Sequence, residues 1–146
     1  MKPCAGTTPC LTKSSMSKPL ALDTNAFRAY TDDNPVISRL VDTAPEIIVP
    51  FVVIGELQFG AYYGSRTTEN IARLERFCLS PRVIVVYPDA DTTRTYGEIA
   101  AELRRAGRPI QQNDIWIAAL CKQHGYVLAT RDTDFSTIIG LEIIRF

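Results

Sequence analysis

The sequence predicts an α/β protein, a three-layer α/β/α sandwich around a central, mainly parallel sheet. Three observations lead to it. Five short apolar runs alternate with six helical patterns along residues 19–146, the runs are apolar throughout instead of at every second position, and no repeat or low-complexity insert interrupts them. Strands apolar on both faces fit a parallel sheet covered by helices on both sides. Length and composition agree: 146 residues suffice for one core of ordinary size, and 46% apolar with 22% charged residues lies close to the globular average.

The elements follow in order. Residues 1–18 are polar, rich in Thr, Ser and Pro, and are read as a disordered leader, leaving a single folded domain at residues 19–146. The first strand, 19–22, carries Leu20, Ala21 and Leu22 and closes at Asp23, where a helix opens through Thr24 over 25–30. A second helical pattern covers 36–42, a second strand 46–49, and helices at 52–63 and 68–78 precede a third strand at 82–87. Helical spacing then runs over 90–106 and 114–124, the latter ending at Gly125, and strands at 126–129 and 141–145 complete the chain. Each apolar run is too brief for a helix of ordinary length, and Gly or Pro closes several of the helical patterns.

Composition also excludes. Sixteen basic residues balance sixteen acidic ones, so no overall basic field announces a nucleic-acid binder, and any such partner has to be argued from local residues. The apolar stretches fall well short of the roughly 20 residues that span a bilayer. The N-terminal stretch has no apolar core of a secretory signal, which points to the cytoplasm. Cys4, Cys10, Cys78 and Cys121 form no CxxC pair; neither a disulfide framework nor a zinc site is indicated, and Cys78 and Cys121 fall in apolar periodic stretches as core residues.

In open α/β sheets, ligands bind at the carboxyl ends of the strands. Asp23 closes the first strand, and Asp132 follows the fourth through Thr130 and Arg131. Each taken singly is read more simply as a cap or turn Asp. Glu56 is harder to explain that way, because its neighbours at i−4, i−3, i+3 and i+4 are Val52, Val53, Phe59 and Gly60, and no Lys or Arg occurs between it and Tyr63. A carboxylate on an apolar face costs several kcal/mol unless it is paired or bound to a cation. Asp114 stands before the all-round apolar run 115–120, either as an N-terminal helix acid or as a functional one. If strand ends and buried helices bring the four acids to one edge of the sheet, they cannot all ionise without a compensating cation. Hard oxygen donors suit Mg²⁺ or Mn²⁺, and such ions serve phosphodiester hydrolysis by activating water and stabilising charge on the phosphate.

The Asp23-Thr24-Asn25 opening, Glu56 within VVIGELQFG, the segment GRPIQQNDIWIAAL and the closing LATRDTDF together resemble the PIN-domain ribonucleases, and among them the VapC-type toxins of bacterial toxin–antitoxin modules. The resemblance spans residues 19–146. It implies an Mg²⁺-dependent endoribonuclease acting on structured RNA such as tRNA or rRNA, homodimeric and neutralised by a small VapB-like antitoxin. It also implies that Asp23, Glu56, Asp114 and Asp132 are catalytic and metal-binding, with Asp134 an alternative to Asp132 for the fourth position. Asn25 and Thr130 match polar residues that hydrogen-bond the acids or the water. Relatives often begin close to the first Asp, so Met16 is a natural alternative start.

Phosphate contacts would come from basic residues around the acids, and Arg131 and Arg108 are the candidates, Arg131 the better placed. Arg104 and Arg105 read more simply as a solvated helix face, and Trp116, among apolar neighbours, as core. The single histidine, His124, sits where it caps a helix end, which leaves no His-based nuclease, and no GxSxG, GxxxxGK[ST] or GxGxxG string occurs. Two rivals remain. A receiver-like fold would need a second acid beside Asp23, where Leu22 stands, and a late Lys, where Arg131 stands. A catalytically silent PIN-like module that binds RNA or protein would have no physical reason to keep its carboxylates crowded together.

Overall fold

All five apolar runs become strands of one sheet. The computed structural model describes residues 16–146; the reading of residues 1–15 as a disordered leader, and with it Cys4 and Cys10, concerns residues outside those described. Strands β1 (Leu20–Leu22), β2 (Ile47–Pro50), β3 (Val83–Val86), β4 (Val127–Ala129) and β5 (Ile143–Ile144) pair in the order β3-β2-β1-β4-β5. Every pairing is parallel, with Leu20 in register with both Ile47 and Val127. Residues 16–18, read from the sequence as the end of the leader, are tied into this domain. The Met16 N–H donates to the Thr43 carbonyl at 3.1 Å, and Lys18 pairs with Glu142.

Six helices complete the three layers: α1 (Thr24–Thr31), α2 (Pro35–Thr43), α3 (Phe51–Tyr63), α4 (Thr67–Cys78), α5 (Ala90–Arg105) and α6 (Gln112–His124). Successive residues of a strand point to opposite faces. Leu20 and Leu22 accordingly pack with Ala26, Ile37 and Val41 of α1 and α2, while Ala21 packs with Val53, Ile99, Leu103 and Ile117 of α3, α5 and α6. Both sides of β1 are therefore dry, which is why its three residues are all apolar and fully buried.

One element escaped the sequence. A 3-10 helix at Thr133–Thr137 follows β4, started by the Asp132 side chain accepting the Asp134 N–H at 2.9 Å and anchored by the buried ring of Phe135. A single turn of this kind has no periodicity to read. Helix α6 begins two residues earlier than spacing indicated, at Gln112, because Gln111 is the last residue with extended backbone; it stops at Gly125, whose φ of 70° favours glycine. Among the described residues, no helix is long and apolar enough to cross a membrane, and Cys78 and Cys121 are free thiols, the latter buried.

Candidate active site

The strand order runs outward from β1 in both directions, through β2 to β3 and through β4 to β5. That reversal opens a crevice beyond the carboxyl ends of β1 and β4, the place where a parallel α/β sheet receives ligands. Asp23 leaves β1 there as the N-cap of α1, its Oδ1 accepting the Ala26 N–H at 2.7 Å. Thr130 leaves β4 beside it, wholly buried. The Thr130 side chain hydrogen-bonds Asp23, and its hydroxyl oxygen accepts the Asp132 N–H at 3.0 Å. The simple reading of both strand-end acids as caps is thus correct, and it does not compete with a role in the crevice.

The other acids come from helices. Glu56 projects from α3 and is held by two neutral donors: the Thr24 hydroxyl donates to Oε2, and the Asn113 amide donates to Oε1 at 2.9 Å. The apolar face expected around Glu56 is only half present, since Val52 and Val53 are buried but Phe59 is 69% exposed. The carboxylate is half-buried at the rim, which lowers its desolvation cost and lets hydrogen bonds suffice. Asp114 lies in the first turn of α6, not at its cap. Asp23, Glu56, Asp114, Asp132 and Asp134 all line one cleft of about 320 Å³, together with Thr24, Asn25, Arg28, Gln111 and Ile117.

Electrostatics sets this cleft apart. Burial pushes the Asp114 carboxyl up to about 6, helped by the negative charges of Asp132, Glu56, Asp23 and Asp134. Burial also raises Asp23; the hydrogen bonds from Thr130 and Ala26 pull it back, and Asp132 and Glu56 push it further up. No ion pair neutralises them: those among the described residues join Lys18 to Glu142 and Arg94 to Asp91, outside the cleft. Among the described residues no three His, Cys, Asp or Glu side chains form a ready-made ligand set around one point. A rim of hard oxygen donors with uncompensated charge nevertheless fits a divalent cation such as Mg²⁺, which retains several waters and takes only one or two protein carboxylates directly.

The remaining sequence candidates separate. Asn25 lines the cleft, but the hydrogen bond to Glu56 comes from Thr24 beside it. Arg131 and Arg108 do not line the cleft; Arg131 is exposed and lies over the Phe146 ring, 4.5 Å from its centroid. Trp116 is core, packed on Tyr96 at 4.2 Å and on Phe51 at 6.1 Å between ring centroids. Thr24, Asn113 and Arg28 were missed. Asn113 carries one local signal, a polar amide next to Asp114 in the first turn of a helix, but its partner is 57 residues away and periodicity does not reveal it.

Comparison with known proteins bears on the family and the fold. The sequence profile described as the PIN domain matches residues 20–141. The chain is 32% identical over 126 residues to Ribonuclease VapC1 of Haemophilus influenzae (strain R2866), covering 83% of this chain and 92% of that protein. The solved structure of VapBC-1 from nontypeable Haemophilus influenzae superposes with a TM-score of 0.76 at 29% identity, over 87% of this chain and 97% of the other. VapBC-5 from Mycobacterium tuberculosis, described as a member of the VapBC family of toxin-antitoxin systems, gives a TM-score of 0.68 at 26% identity, over 88% and 99%.

Proposed function

Since the chain belongs to the PIN-domain family, among its VapC-type members, we propose that it is an Mg²⁺-dependent endoribonuclease that hydrolyses RNA phosphodiester bonds and is the toxin of a toxin–antitoxin pair. The observation that carries this reading is the convergence of five carboxylates from four parts of the chain on one cleft at the sheet's switch point, with no ion pair among the described residues to neutralise them. Asp23, Glu56, Asp114 and Asp132 would hold Mg²⁺, or Mn²⁺ in its place, one or two of them directly and the others through its waters. Asp132 fits the fourth position better than Asp134 because it is half-buried and hydrogen-bonded at both its N–H and its carboxylate, whereas Asp134 is exposed. When bound, the ion supplies a more acidic water and stabilises charge on the phosphate.

The chain's own residues do the positioning. Thr24 and Asn113 fix both oxygens of Glu56. Thr130 couples Asp23 to Asp132 through one hydroxyl, so the two strand ends are set as a unit. The first turn of α6 has no side-chain cap, and its free N–H groups favour an anion near Gln111 at the cleft wall. We further propose tRNA or rRNA as the substrate class, a VapB-like antitoxin as the neutralising partner, a homodimer, and a cytoplasmic setting. The naming of relatives as VapC ribonucleases and as members of VapBC systems supports an RNA substrate and the antitoxin.

Incubation of the purified protein with total tRNA and rRNA, with Mg²⁺ or Mn²⁺ and with EDTA, alongside Asp23→Asn, tests the reading. Discrete fragments that need the metal and vanish in the variant are expected. Intact RNA, with no thermal shift on adding Mn²⁺, would sink it and leave a silent binding module, because an acidic cluster gains stability by binding a cation.

A further inference from the structure

Resting on the reading of the acid cleft as a phosphodiesterase site, we propose that Arg28 grips the RNA backbone beside the scissile phosphate and leads the strand out of the cleft into the groove between α1, α3 and α4. Arg28 is the cation that lines the acid cleft, and among the described residues it alone lines both that cleft and the adjoining groove of about 350 Å³. It is exposed, and among the described residues no carboxylate holds it in an ion pair despite the five acids around the same cleft. Its placement is built: the guanidinium lies against the α3 backbone at Gly60, where a Cβ would stand 3.3 Å from Nη2.

A polyanion approaching five carboxylates is repelled unless a positive group meets its phosphates, and a guanidinium left unpaired at the cleft mouth offers two parallel donors to a phosphate. The strand on one side of the cut must leave the cleft across some wall. The groove continues beyond Arg28 with the donors Arg73, Asn70 and Thr31 and holds one carboxylate, Asp32, so with Arg28 itself counted its balance is positive. Its apolar wall is Phe27 and Leu57. Single-stranded nucleic acid sites combine such a cationic track with apolar surface.

The test uses fluorescein-labelled single-stranded RNA of mixed sequence, bound to Asp23→Asn and to Asp23→Asn/Arg28→Gln across a salt series, with cleavage by Arg28→Gln and Arg28→Lys measured in parallel. Arg28→Gln is expected to weaken binding on the order of tenfold, raise KM more than it lowers kcat, and make the plot of log K against log salt shallower by about 0.7, the value of one phosphate contact on a single strand. Arg28→Lys should restore the slope, which a merely structural role would not move. A second variant, Gly60→Ala, pushes the guanidinium aside by a few tenths of an ångström while favouring the helix; it should raise KM about twofold without lowering Tm. An unchanged salt slope in a protein that still cuts RNA overturns the assignment and leaves the groove to a protein partner. Failure of the nuclease reading is separate: there the parent protein neither cuts RNA with Mg²⁺ or Mn²⁺ nor binds the labelled strand as Asp23→Asn.

Discussion

Two aspartates at helix N-termini on the same side of the sheet behave in opposite ways. Asp89 caps α5, where its Oδ1 accepts the Thr92 N–H at 2.9 Å and the Gln123 amide at 2.8 Å, while its own N–H donates to the Thr92 hydroxyl oxygen at 2.9 Å. These donors hold its carboxyl down at about 2. Asp114, in the first turn of α6, meets burial and four other carboxylates and is held up at about 6. A helix start favours a negative charge in both places. The sign of the shift is decided by the company each acid keeps: Asp89 serves the charged form by binding two helices together, and Asp114 sits where charge is left for something else to satisfy.

Neutralising each acid should break the comparison at its most visible point. Asp114→Asn is expected to lower the rate of RNA cleavage by at least about a hundredfold, while the metal-free protein keeps its Tm or gains a few degrees, since the substitution removes repulsion. Cleavage assays and thermal melts in EDTA read both. An Asp114→Asn protein that melts well below the parent would mean that the acid is structural. Asp89→Ala is the mirror image and the next largest effect: Tm should fall by a few degrees as the α5 cap and its tie to Gln123 are lost, with cleavage per folded molecule unchanged. Loss of activity without loss of Tm would join Asp89 to the site.

How much of this was legible follows from the range of each interaction. The sheet was, because Leu20, Ala21 and Leu22 must face two cores and so cannot alternate. Asp23 and Asp132 were placed from the strands that end just before them, and Glu56 and Asp114 from apolar surroundings, although the exposed ring of Phe59 shows that the face around Glu56 is wetter than its neighbours imply. What holds the acids was not legible. Thr24 reaches Glu56 across 32 residues and Asn113 across 57, and nothing local marks either pair. Arginine direction was equally hidden: Arg131, next to an acid in sequence, turns onto Phe146, while Arg28, on a helix face without evident chemistry, reaches the cleft because Gly60 leaves room.

The smallest effect is the most discriminating, because it sets the two aspartates against each other in one titration. Asp114 has a folded pKa of about 6 against an ordinary 3.8, so between those values the folded protein binds more protons than the unfolded one, and stability falls as pH rises. Asp89 has a folded pKa of about 2 against 3.8, so the stability it contributes is present above 3.8 and is lost as pH falls toward 2. The metal-free protein should therefore be most stable near pH 4 as far as these two groups decide it. On the upper limb, Asp114 should cost about 1–2 kcal/mol once solvent screening of a half-exposed group is allowed for, roughly 3–6 °C in Tm between pH 4.5 and 6.5. Asp114→Asn should flatten that limb and leave the acid limb in place; Asp89→Asn should do the reverse. Melts in EDTA across this range check it, and an upper limb that survives Asp114→Asn would show that the crowding of the cleft is not what sets it. Adding Mn²⁺ should reverse the upper limb in the parent and in Asp89→Asn but not in Asp114→Asn, since a cation competes with protons for the same oxygens and wins as pH rises.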